Sequence, residues 1–300
     1  MIGFDGFREA KLPGAREDAT IFARVGGAGP PVLLLHGYPQ THLAWRHVAP
    51  ALAQRFTVVA ADLRGYGQSG APPDAGDGET YSKRAMVEDM RAAMAALGFD
   101  RFHLAGHDRG GRVAYRLALD APEAVDRLAL LEIVPTSEMW RAFDAPMAIR
   151  AYHWTFLAQP APLPERLIHG DPAFYLEHTL RSWTKSGTLE PFEDGALEAY
   201  KAAFGVPRRI AAFCADYRAG AGPDLANDLA DREAGVLIQS PTLLICGREG
   251  FPAQAGAPEE IWSGWAPDIR AERVACGHFP MEEAPAETAA ALLRFLGEAG

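Results

Sequence analysis

The 300-residue chain has few cysteines and no long apolar run. Its three cysteines, Cys214, Cys246 and Cys276, are odd in number and widely spaced, which favours neither a disulfide framework nor a metal cluster. No run of about 18 apolar residues is present, so no transmembrane helix is expected. The N-terminus lacks the basic start and apolar stretch of a signal peptide. These absences predict a cytoplasmic protein that does not enter a membrane.

Basic residues are also in the minority. The chain has 29 Lys and Arg against 39 Asp and Glu, which gives a formal net charge of −10. This excess of negative charge argues against nucleic acid as a partner, and a small anionic substrate would need local positive charge at its site. With 48% hydrophobic and 23% charged residues, the chain can bury a sizeable core.

Short apolar runs alternate with helical patterns in the first part of the chain. Such alternation predicts a mostly parallel sheet covered by helices, the α/β class. Strands are predicted at 32–35, 57–61, 102–105, 128–133, 242–246 and 269–274, and helices at 82–97, 110–120 and 284–296.

The pattern changes at Pro135. About 100 residues follow with helical patterns and many aromatic side chains, and strand character returns only near residue 242. We therefore predict an α/β-hydrolase core formed by residues 1–134 and 236–300. A helical cap over residues 135–235 is inserted into this core.

The most informative motif is Gly-His-Asp-Arg-Gly at 106–110, between the strand 102–105 and the helix 110–120. Strand, sharp turn and helix together have the form of a nucleophile elbow, a strained turn that exposes one side chain above an α/β-hydrolase sheet. Asp108 occupies the position of the usual serine. A carboxylate is ionised at neutral pH and can displace a leaving group from a saturated carbon, forming an ester that water then hydrolyses. The motif therefore predicts cleavage of a carbon–halogen bond or an epoxide.

Hydrolysis of such an ester needs a general base, and histidine suits this role because its pKa lies near working pH. His278 lies in a loop after the last predicted strand, and the chain order nucleophile, acid, histidine is that of α/β-hydrolases. Two acids compete to hold its imidazole. Glu249 lies in a Gly-containing loop, whereas Glu132 ends an otherwise apolar strand, where an acid is costly without a partner. The second argument favours Glu132.

Arg109 and Arg112 stand three residues apart at the start of the helix and hence on one face. Cations oppose the helix macrodipole there, so their presence suggests a role. They either pair with Asp108 or other acids, or bind a substrate carboxylate whose α-carbon would then face Asp108. The backbone N–H groups of Tyr38 and Arg109 are predicted to form an oxyanion hole.

These residues resemble the fluoroacetate (haloacetate) dehalogenases of the α/β-hydrolase superfamily, and the resemblance extends over nearly the whole chain. The elbow is shared with haloalkane dehalogenases and epoxide hydrolases, whereas the paired arginines and the His-Trp and Asp-Tyr segments are more specific. The matching segments are 36–42, 62–67, 106–112, 152–162, 182–184, 216–220 and 277–279.

The resemblance implies hydrolysis of a 2-haloacetate, such as fluoroacetate or chloroacetate, to glycolate and halide through an aspartyl ester. It implies no metal or organic cofactor, and a homodimer. The implied roles are nucleophile for Asp108, base for His278, triad acid for Glu132, carboxylate binding for Arg109 and Arg112, halide binding for His153, Trp154 and Tyr217, and further pocket lining by Tyr38 and Trp183.

The sequence departs from the family pattern at two positions. Glu132 stands where the family usually has Asp, and Gly111 adds a second glycine to the helix start, which costs about 1 kcal/mol relative to Ala. Gly111 is expected to loosen Arg112, and either change is expected to lower activity or favour larger halides.

Two other functions compete with dehalogenation. An epoxide hydrolase would use the same nucleophile and needs tyrosines to protonate the ring oxygen, for which Tyr152, Tyr175 and Tyr217 are available. It has no obvious use for paired arginines. A non-catalytic receptor for small acids would be expected to lack a triad member, whereas nucleophile, acid and base are all present here.

Overall fold

The computed structural model describes residues 3–250, 252 and 257–298, so residues 1 and 2 of the N-terminal segment considered above lie outside it. Within the described residues, eight strands form one sheet. The strands are β1 (Arg8–Leu12), β2 (Ile21–Gly26), β3 (Pro31–Leu35), β4 (Thr57–Ala61), β5 (Phe102–His107), β6 (Val125–Leu131), β7 (Thr242–Gly247) and β8 (Ile269–Val274).

The strand order is β1-β2-β4-β3-β5-β6-β7-β8. Strands β3 to β8 are parallel, with Leu33 opposite both Val59 of β4 and Leu104 of β5. This confirms the predicted fold class. Strands β1 and β2 add an antiparallel edge that the sequence reasoning did not predict. β6 begins three residues before the predicted strand and ends two residues earlier.

The central strands are apolar along their whole length because both faces of the sheet are covered. Leu33 and Leu35 of β3 belong to the hydrophobic cluster on one face. Val32 and Leu34 belong to the cluster on the other face. Alternate side chains of a strand point to opposite faces, so a continuous apolar run is what a doubly covered strand requires.

The core helices pack on both faces of this sheet. Ser82, predicted as the first residue of a helix, is instead the cap of α2, and its Oγ accepts a hydrogen bond from the Ala85 N–H. The core helices are α1 (Ala49–Leu52), α2 (Lys83–Ala96), α3 (Asp108–Asp120), α12 (Pro258–Ser263), α13 (Pro280–Glu283) and α14 (Pro285–Leu296).

The chain between β6 and β7 is helical, where the sequence pattern predicted an insertion. None of the helices in the described part of the chain is long and apolar enough to cross a bilayer. The helices of this insertion are α4 (Thr136–Arg141), α5 (Ala145–Arg150), α6 (Tyr152–Leu157), α7 (Leu163–Gly170), α8 (Pro172–Trp183), α9 (Ala196–Phe204), α10 (Pro207–Ala221) and α11 (Pro223–Ala234).

The parallel strands bring the predicted functional residues to one edge of the sheet. Tyr38 follows β3, Asp108 follows β5, Glu132 follows β6 and His278 follows β8. The carboxyl ends of parallel strands meet at the same edge, which is where open α/β sheets bind ligands.

Leu34 is fully buried in β3, so Leu34→Ala should lower the free energy of unfolding by about 2–5 kcal/mol through lost burial and a cavity. The same change at Leu229, which is 49% exposed, should alter it by less than about 0.5 kcal/mol. Urea denaturation followed by circular dichroism measures both. Equal effects at the two positions would contradict the assignment of Leu34 to the core.

Candidate active site

The turn between β5 and α3 holds Asp108 in a strained conformation. Its φ is +46°, in the left-handed region that non-glycine residues seldom adopt. A Cβ on Gly110 would lie 2.3 Å from the His36 carbonyl oxygen, and one on Gly106 would lie 2.4 Å from the Gly110 oxygen. Glycine at both positions therefore allows the close backbone approach that a nucleophile elbow needs.

The carboxylate of Asp108 is buried but surrounded by partners. Its Oδ1 accepts a hydrogen bond of 2.9 Å from the Tyr38 N–H, the donor predicted for an oxyanion hole. Its Oδ2 lies 3.8 Å from His278 Nε2. Burial by itself raises the pKa of Asp108, but His278 and the charge of Arg109 outweigh burial and hold it well below its usual value. Asp108 is therefore held in the ionised form, which a carboxylate nucleophile needs.

His278 is held by Glu132 and not by Glu249. The Nδ1 of His278 lies 3.2 Å from Glu132 Oε2, and Glu132 Oε1 accepts a 2.5 Å hydrogen bond from the Gly247 N–H. Glu132 also has a positive φ, +56°, which it shares with Asp108 alone among the described non-glycine residues. Glu249 is half exposed and lies 3.2 Å from Lys185 Nζ. Of the two acids left open by the sequence, the geometry selects Glu132.

The two carboxylates decide the protonation of His278. Burial lowers the pKa of His278, but contact with Asp108 and Glu132 outweighs burial and raises it to about 9. The imidazole is therefore protonated at neutral pH. Any reaction that removes the charge of Asp108 must lower this pKa and make His278 a stronger candidate for a general base.

Arg109 is paired with an acid, the structural alternative that the sequence left open. Its Nε and Nη2 donate to the carboxylate of Asp216 at 3.0 and 2.6 Å, and its guanidinium carbon lies 4.3 Å from the centre of the Tyr217 ring. Asp216 is fully buried and also accepts from Lys83 Nζ. Only Nη1 of Arg109 has no partner among the described residues.

Sequence reasoning gave Asp216 no role, although the signal was present. Asp216 is an acid in the apolar stretch Phe213, Cys214 and Ala215 of α10, where an unpaired charge would be costly. That cost indicates a buried cation as partner. Because Arg109 is far from α10 in the sequence, the sequence could not identify Arg109 as that cation.

Arg112, in contrast, has no acidic partner within ion-pair distance among the described residues. Its Nη1 donates to the Val134 carbonyl oxygen at 3.1 Å and to Thr136 Oγ1 at 3.0 Å, and its guanidinium carbon lies 4.5 Å from the Trp154 ring. Burial lowers its pKa, but an arginine remains protonated in proteins. Arg112 thus brings an uncompensated positive charge to the site.

Asp108 and Arg112 face the same small cavity. Its volume is about 20 Å³, which is room for one or two water molecules. Only a molecule of a few heavy atoms fits. Ile133, Val134 and Met139 form an apolar wall that the sequence did not single out. The full lining is Asp108, Arg112, Glu132, Ile133, Val134, Met139, His153, Trp154, Trp183 and His278.

Unpaired donors lie around this cavity. His153 Nδ1 and the Tyr217 hydroxyl are buried without a partner among the described residues. Burial lowers the pKa of His153 to about 3 and raises that of Tyr217 well above its usual value, so both are neutral. The Tyr217 ring packs against His153 and Trp154, with centroids 5.7 and 6.1 Å apart. The Tyr217 O–H and one ring nitrogen of His153 are therefore available to form hydrogen bonds with a bound molecule.

Comparison with known proteins agrees with this geometry. Residues 30–285 match the family described as alpha/beta hydrolase fold. The chain is 43% identical to a fluoroacetate dehalogenase from Burkholderia sp over 99% of its own length and 96% of the relative. The chain belongs to the haloacetate dehalogenase family of α/β-hydrolases.

This haloacetate dehalogenase family member is also related to other α/β-hydrolases. It is 33% identical to a soluble epoxide hydrolase from Corynebacterium sp. (strain C12) over 86% of the chain and 87% of the relative. The crystal structure of an α/β-hydrolase-fold protein from Nostoc sp PCC 7120 superposes with a TM-score of 0.94. That structure is 43% identical and covers 99% of this chain and 100% of its own.

In this haloacetate dehalogenase family member, Gly111 is required by packing. A Cβ at that position would lie 2.8 Å from Ile133 Cδ1 and 2.9 Å from the Gly106 carbonyl oxygen. Helix α3 is continuous through Gly111, and Arg112 is held by two hydrogen bonds. The loosening of Arg112 stays a prediction, and these two hydrogen bonds argue against it.

Tyr38 and Trp183, the two further lining residues, take different places in this family member. Trp183 lines the cavity, whereas the Tyr38 ring packs behind it, 5.3 Å from the Tyr217 ring and 6.2 Å from the Trp183 ring. Tyr38 thus acts through its backbone N–H. Among the described hydrogen bonds, none joins the Arg109 N–H to Asp108, so its part in an oxyanion hole stays a prediction.

The pKa of His278 should fall in the Asp108→Asn variant, because the imidazolium loses an anion 3.8 Å away. NMR titration of histidine-labelled protein measures this shift. His103 serves as the control, because burial lowers its pKa and Asp108 does not contribute to that shift. It should titrate identically in both proteins. An unchanged pKa of His278 would show that Asp108 does not control its protonation.

Proposed function

We propose that this protein hydrolyses 2-haloacetates, such as fluoroacetate and chloroacetate, to glycolate and halide through an ester on Asp108. The observation that carries the proposal is the pairing of Asp108 with Arg112 in one cavity of about 20 Å³. A carboxylate and an uncompensated guanidinium side by side suit a small substrate that is itself an anion. The 43% identity to a Burkholderia fluoroacetate dehalogenase supports the same reaction.

Substrate binding rests on Arg112, which we propose holds the substrate carboxylate. Its unpaired charge attracts the anion, and the planar guanidinium suits two oxygens. Arg109 assists through Nη1 alone, because Asp216 takes its Nε and Nη2. With the carboxylate fixed by these arginines, the adjacent carbon that carries the halogen faces Asp108.

In the first chemical step, an oxygen of Asp108 attacks that carbon. A carbon–oxygen bond forms while the carbon–halogen bond breaks, and the halide leaves with the bonding electrons. His153, Trp154 and Tyr217 are proposed to stabilise the departing halide. The neutral imidazole and the phenol of Tyr217 offer N–H and O–H donors to an anion that would otherwise emerge without solvation.

In the second step, water hydrolyses the ester of Asp108. Esterification removes the negative charge of Asp108, so the pKa of His278 falls from about 9 and its neutral form becomes available. His278 takes a proton from water, which attacks the ester carbonyl, and returns that proton to the leaving oxygen of glycolate. Glu132 stabilises the imidazolium, and the Tyr38 N–H stabilises the oxyanion.

Epoxide hydrolysis is the second candidate, favoured by the 33% identity to a soluble epoxide hydrolase. That reaction needs an O–H donor to protonate the ring oxygen. The Tyr217 hydroxyl, beside the small cavity, is unpaired among the described residues and is such a donor, whereas Tyr152 lines a separate outer cavity. The lone Arg112 charge would however have no partner in an uncharged epoxide, so dehalogenation explains more of the site.

The helical insertion over 135–235 is proposed to act as a cap over the core formed by 1–134 and 236–300. It supplies His153, Trp154 and Trp183 to the cavity, while the core supplies Asp108 and His278. A cytoplasmic location is also proposed, since all three cysteines are buried free thiols, which suits a reducing compartment. Cell fractionation tests the location.

A homodimer is proposed from the family resemblance and from exposed apolar residues on α7. Leu163 and Leu167 are 50% and 61% exposed, lie one helical turn apart and line one surface cavity. Apolar groups gathered at one place on a surface often mark a protein interface. A second copy of the chain is the occupant we propose.

Purified protein should release fluoride from fluoroacetate or chloride from chloroacetate, and Asp108→Asn should abolish release because the nucleophile is lost. His278→Asn should form the ester and fail to hydrolyse it. Ion-selective electrodes measure halide, and mass spectrometry should find a carboxymethyl group on the peptide that contains Asp108. Asp126→Asn, an acid paired with Arg101 away from the cavity, serves as the matched control.

Chloride release without fluoride release would support the proposed dehalogenation and restrict its substrate to chloroacetate. Turnover of styrene oxide with no halide from either acid would replace the proposal with epoxide hydrolysis. Binding of haloacetates that survives in Asp108→Asn, without turnover by the wild-type protein, would instead indicate a receptor.

Leu167→Lys should convert a dimer into a monomer, because a charge in an apolar interface loses its hydration. Light scattering coupled to size exclusion measures the mass. Leu229→Lys places the same charge at another half-exposed leucine, on α11, and should leave the mass unchanged. A wild-type monomer would overturn the homodimer.

A further inference from the structure

A series of hydrogen-bonded side chains leads from Arg112 away from the catalytic cavity. Arg112 Nη1 donates to Thr136 Oγ1, which lies 2.9 Å from the Tyr115 hydroxyl oxygen. The same hydroxyl oxygen lies 3.0 and 3.1 Å from the two carboxylate oxygens of Asp228. All four side chains are buried. We call Asp228, Tyr115 and Thr136 the Asp228 network.

The Asp228 network joins three parts of the fold. Arg112 and Tyr115 stand three residues apart on the core helix α3 and hence share one face of it. Thr136 is the first residue of α4, and Asp228 lies on α11. These are the first and last helices of the insertion, so both ends of the insertion are tied to α3 beside Arg112.

The chemistry of the groups fixes the direction of each hydrogen bond. A guanidinium has donors only, so Thr136 Oγ1 must accept from Arg112. Burial raises the pKa of Asp228 to about 6, so this carboxylate is ionised at neutral pH and accepts only. Burial also raises the pKa of Tyr115, which therefore keeps its single proton and donates it to the charged acceptor. Thr136 must then donate its hydroxyl proton to Tyr115, which leaves its lone pairs for Arg112.

Asp228 is itself fixed in place. Its Oδ2 accepts a 3.0 Å hydrogen bond from the Ser137 N–H, and its Oδ1 lies 3.7 Å from Arg116 Nη2. The negative charge of Asp228 is thus offset by Arg116, which also pairs with Asp231. The network reaches Arg112 through two hydroxyl groups, so it can orient the guanidinium without cancelling its charge.

We propose that Thr136, Tyr115 and Asp228 are positioning residues, which hold the Arg112 guanidinium in the orientation that receives the substrate carboxylate. The inference rests on the proposed function, in which Arg112 binds that carboxylate. The two hydrogen bonds described for the guanidinium both start at Nη1, and they go to Thr136 and to the Val134 carbonyl oxygen. Without Thr136, one acceptor would remain, and the plane of the guanidinium would no longer be fixed.

This role predicts a particular kinetic effect. The substrate carboxylate keeps its charge while the carbon–halogen bond breaks, so Arg112 binds it equally well in the ground state and in the transition state. Loss of such uniform binding raises KM and leaves kcat unchanged. General damage to the site would instead lower kcat.

Thr136→Val removes the hydroxyl at nearly equal size and should raise the KM for chloroacetate by about fivefold to twentyfold, since an acceptor for a charged donor is lost. Its kcat, measured from chloride release at saturating substrate, should change by less than about twofold. Thr136→Ser keeps the acceptor and should restore both constants. Thr179→Val is the matched control, because Thr179 is a buried threonine of α8 whose hydroxyl has no partner among the described residues.

Tyr115→Phe keeps the ring, which packs against Trp262 and Trp265, and removes only the hydroxyl between Thr136 and Asp228. It should raise KM by about twofold to fivefold, because Thr136 loses the group that orients its proton. Added to Thr136→Val, it should raise KM no further, since residues of one network are not additive.

An unchanged KM in Thr136→Val, or a loss of kcat at constant KM, would overturn the positioning role while halide release by the wild-type protein keeps the proposed function intact. Additive effects in the double variant would also overturn it, since they would show two independent disturbances. If Thr136→Val fails to fold, the KM of Tyr115→Phe decides between the two outcomes. Absence of halide release from the wild-type protein would overturn both the positioning role and the proposed function.

Discussion

Asp108 is 7% exposed, and a buried anion is unfavourable unless neighbours offset the loss of hydration. The Tyr38 N–H, the His278 imidazolium and the charge of Arg109 provide that compensation. Tyr38 and His278 lie in two loops at the carboxyl edge of the sheet and Arg109 lies at the start of α3, so this compensation exists only in the folded chain. The strained φ of Asp108 is held by the same packing, since glycines on either side admit the backbone contacts that fix the turn.

A second constraint is that the nucleophile and the proposed substrate carry the same charge. The two arginines differ in how far they can offset the repulsion between these two anions. Arg109 is paired with Asp216, which fixes its position and offsets its charge. Arg112 is held by a carbonyl and a hydroxyl, which orient the guanidinium without cancelling its charge. Only an arginine that is held by neutral groups, as Arg112 is, can offer its whole positive charge to a substrate carboxylate beside Asp108.

The local sequence was sufficient for features that depend on neighbours in the chain. The elbow at 106–110 and the parallel strands follow from apolar runs, glycines and turn residues, and the choice of Glu132 followed from the cost of an acid at an apolar strand end. Ion pairs between residues that are far apart in the sequence could not be predicted. Arg109 and Asp216 are 107 residues apart, and no pattern around either one names the other. Strand β1 was missed because one of its faces is exposed, which weakens its apolar signal. Strand β2 is buried, but Arg24 interrupts its apolar run.

The division of the site between core and insertion explains how one scaffold can serve relatives with different reactions. Asp108, Glu132 and His278 come from the core and, in the proposed mechanism, form and hydrolyse the ester that dehalogenation and epoxide opening share. His153, Trp154 and Trp183 come from the insertion, as does Tyr217, and they surround the space where a leaving group would depart. Epoxide opening needs a phenol that protonates the ring oxygen, whereas dehalogenation needs hydrogen-bond donors that solvate the halide. In the proposed mechanisms, the two sites would differ only in these side chains. In the proposed mechanism the insertion therefore decides which bond breaks, whereas the core decides how the ester is hydrolysed.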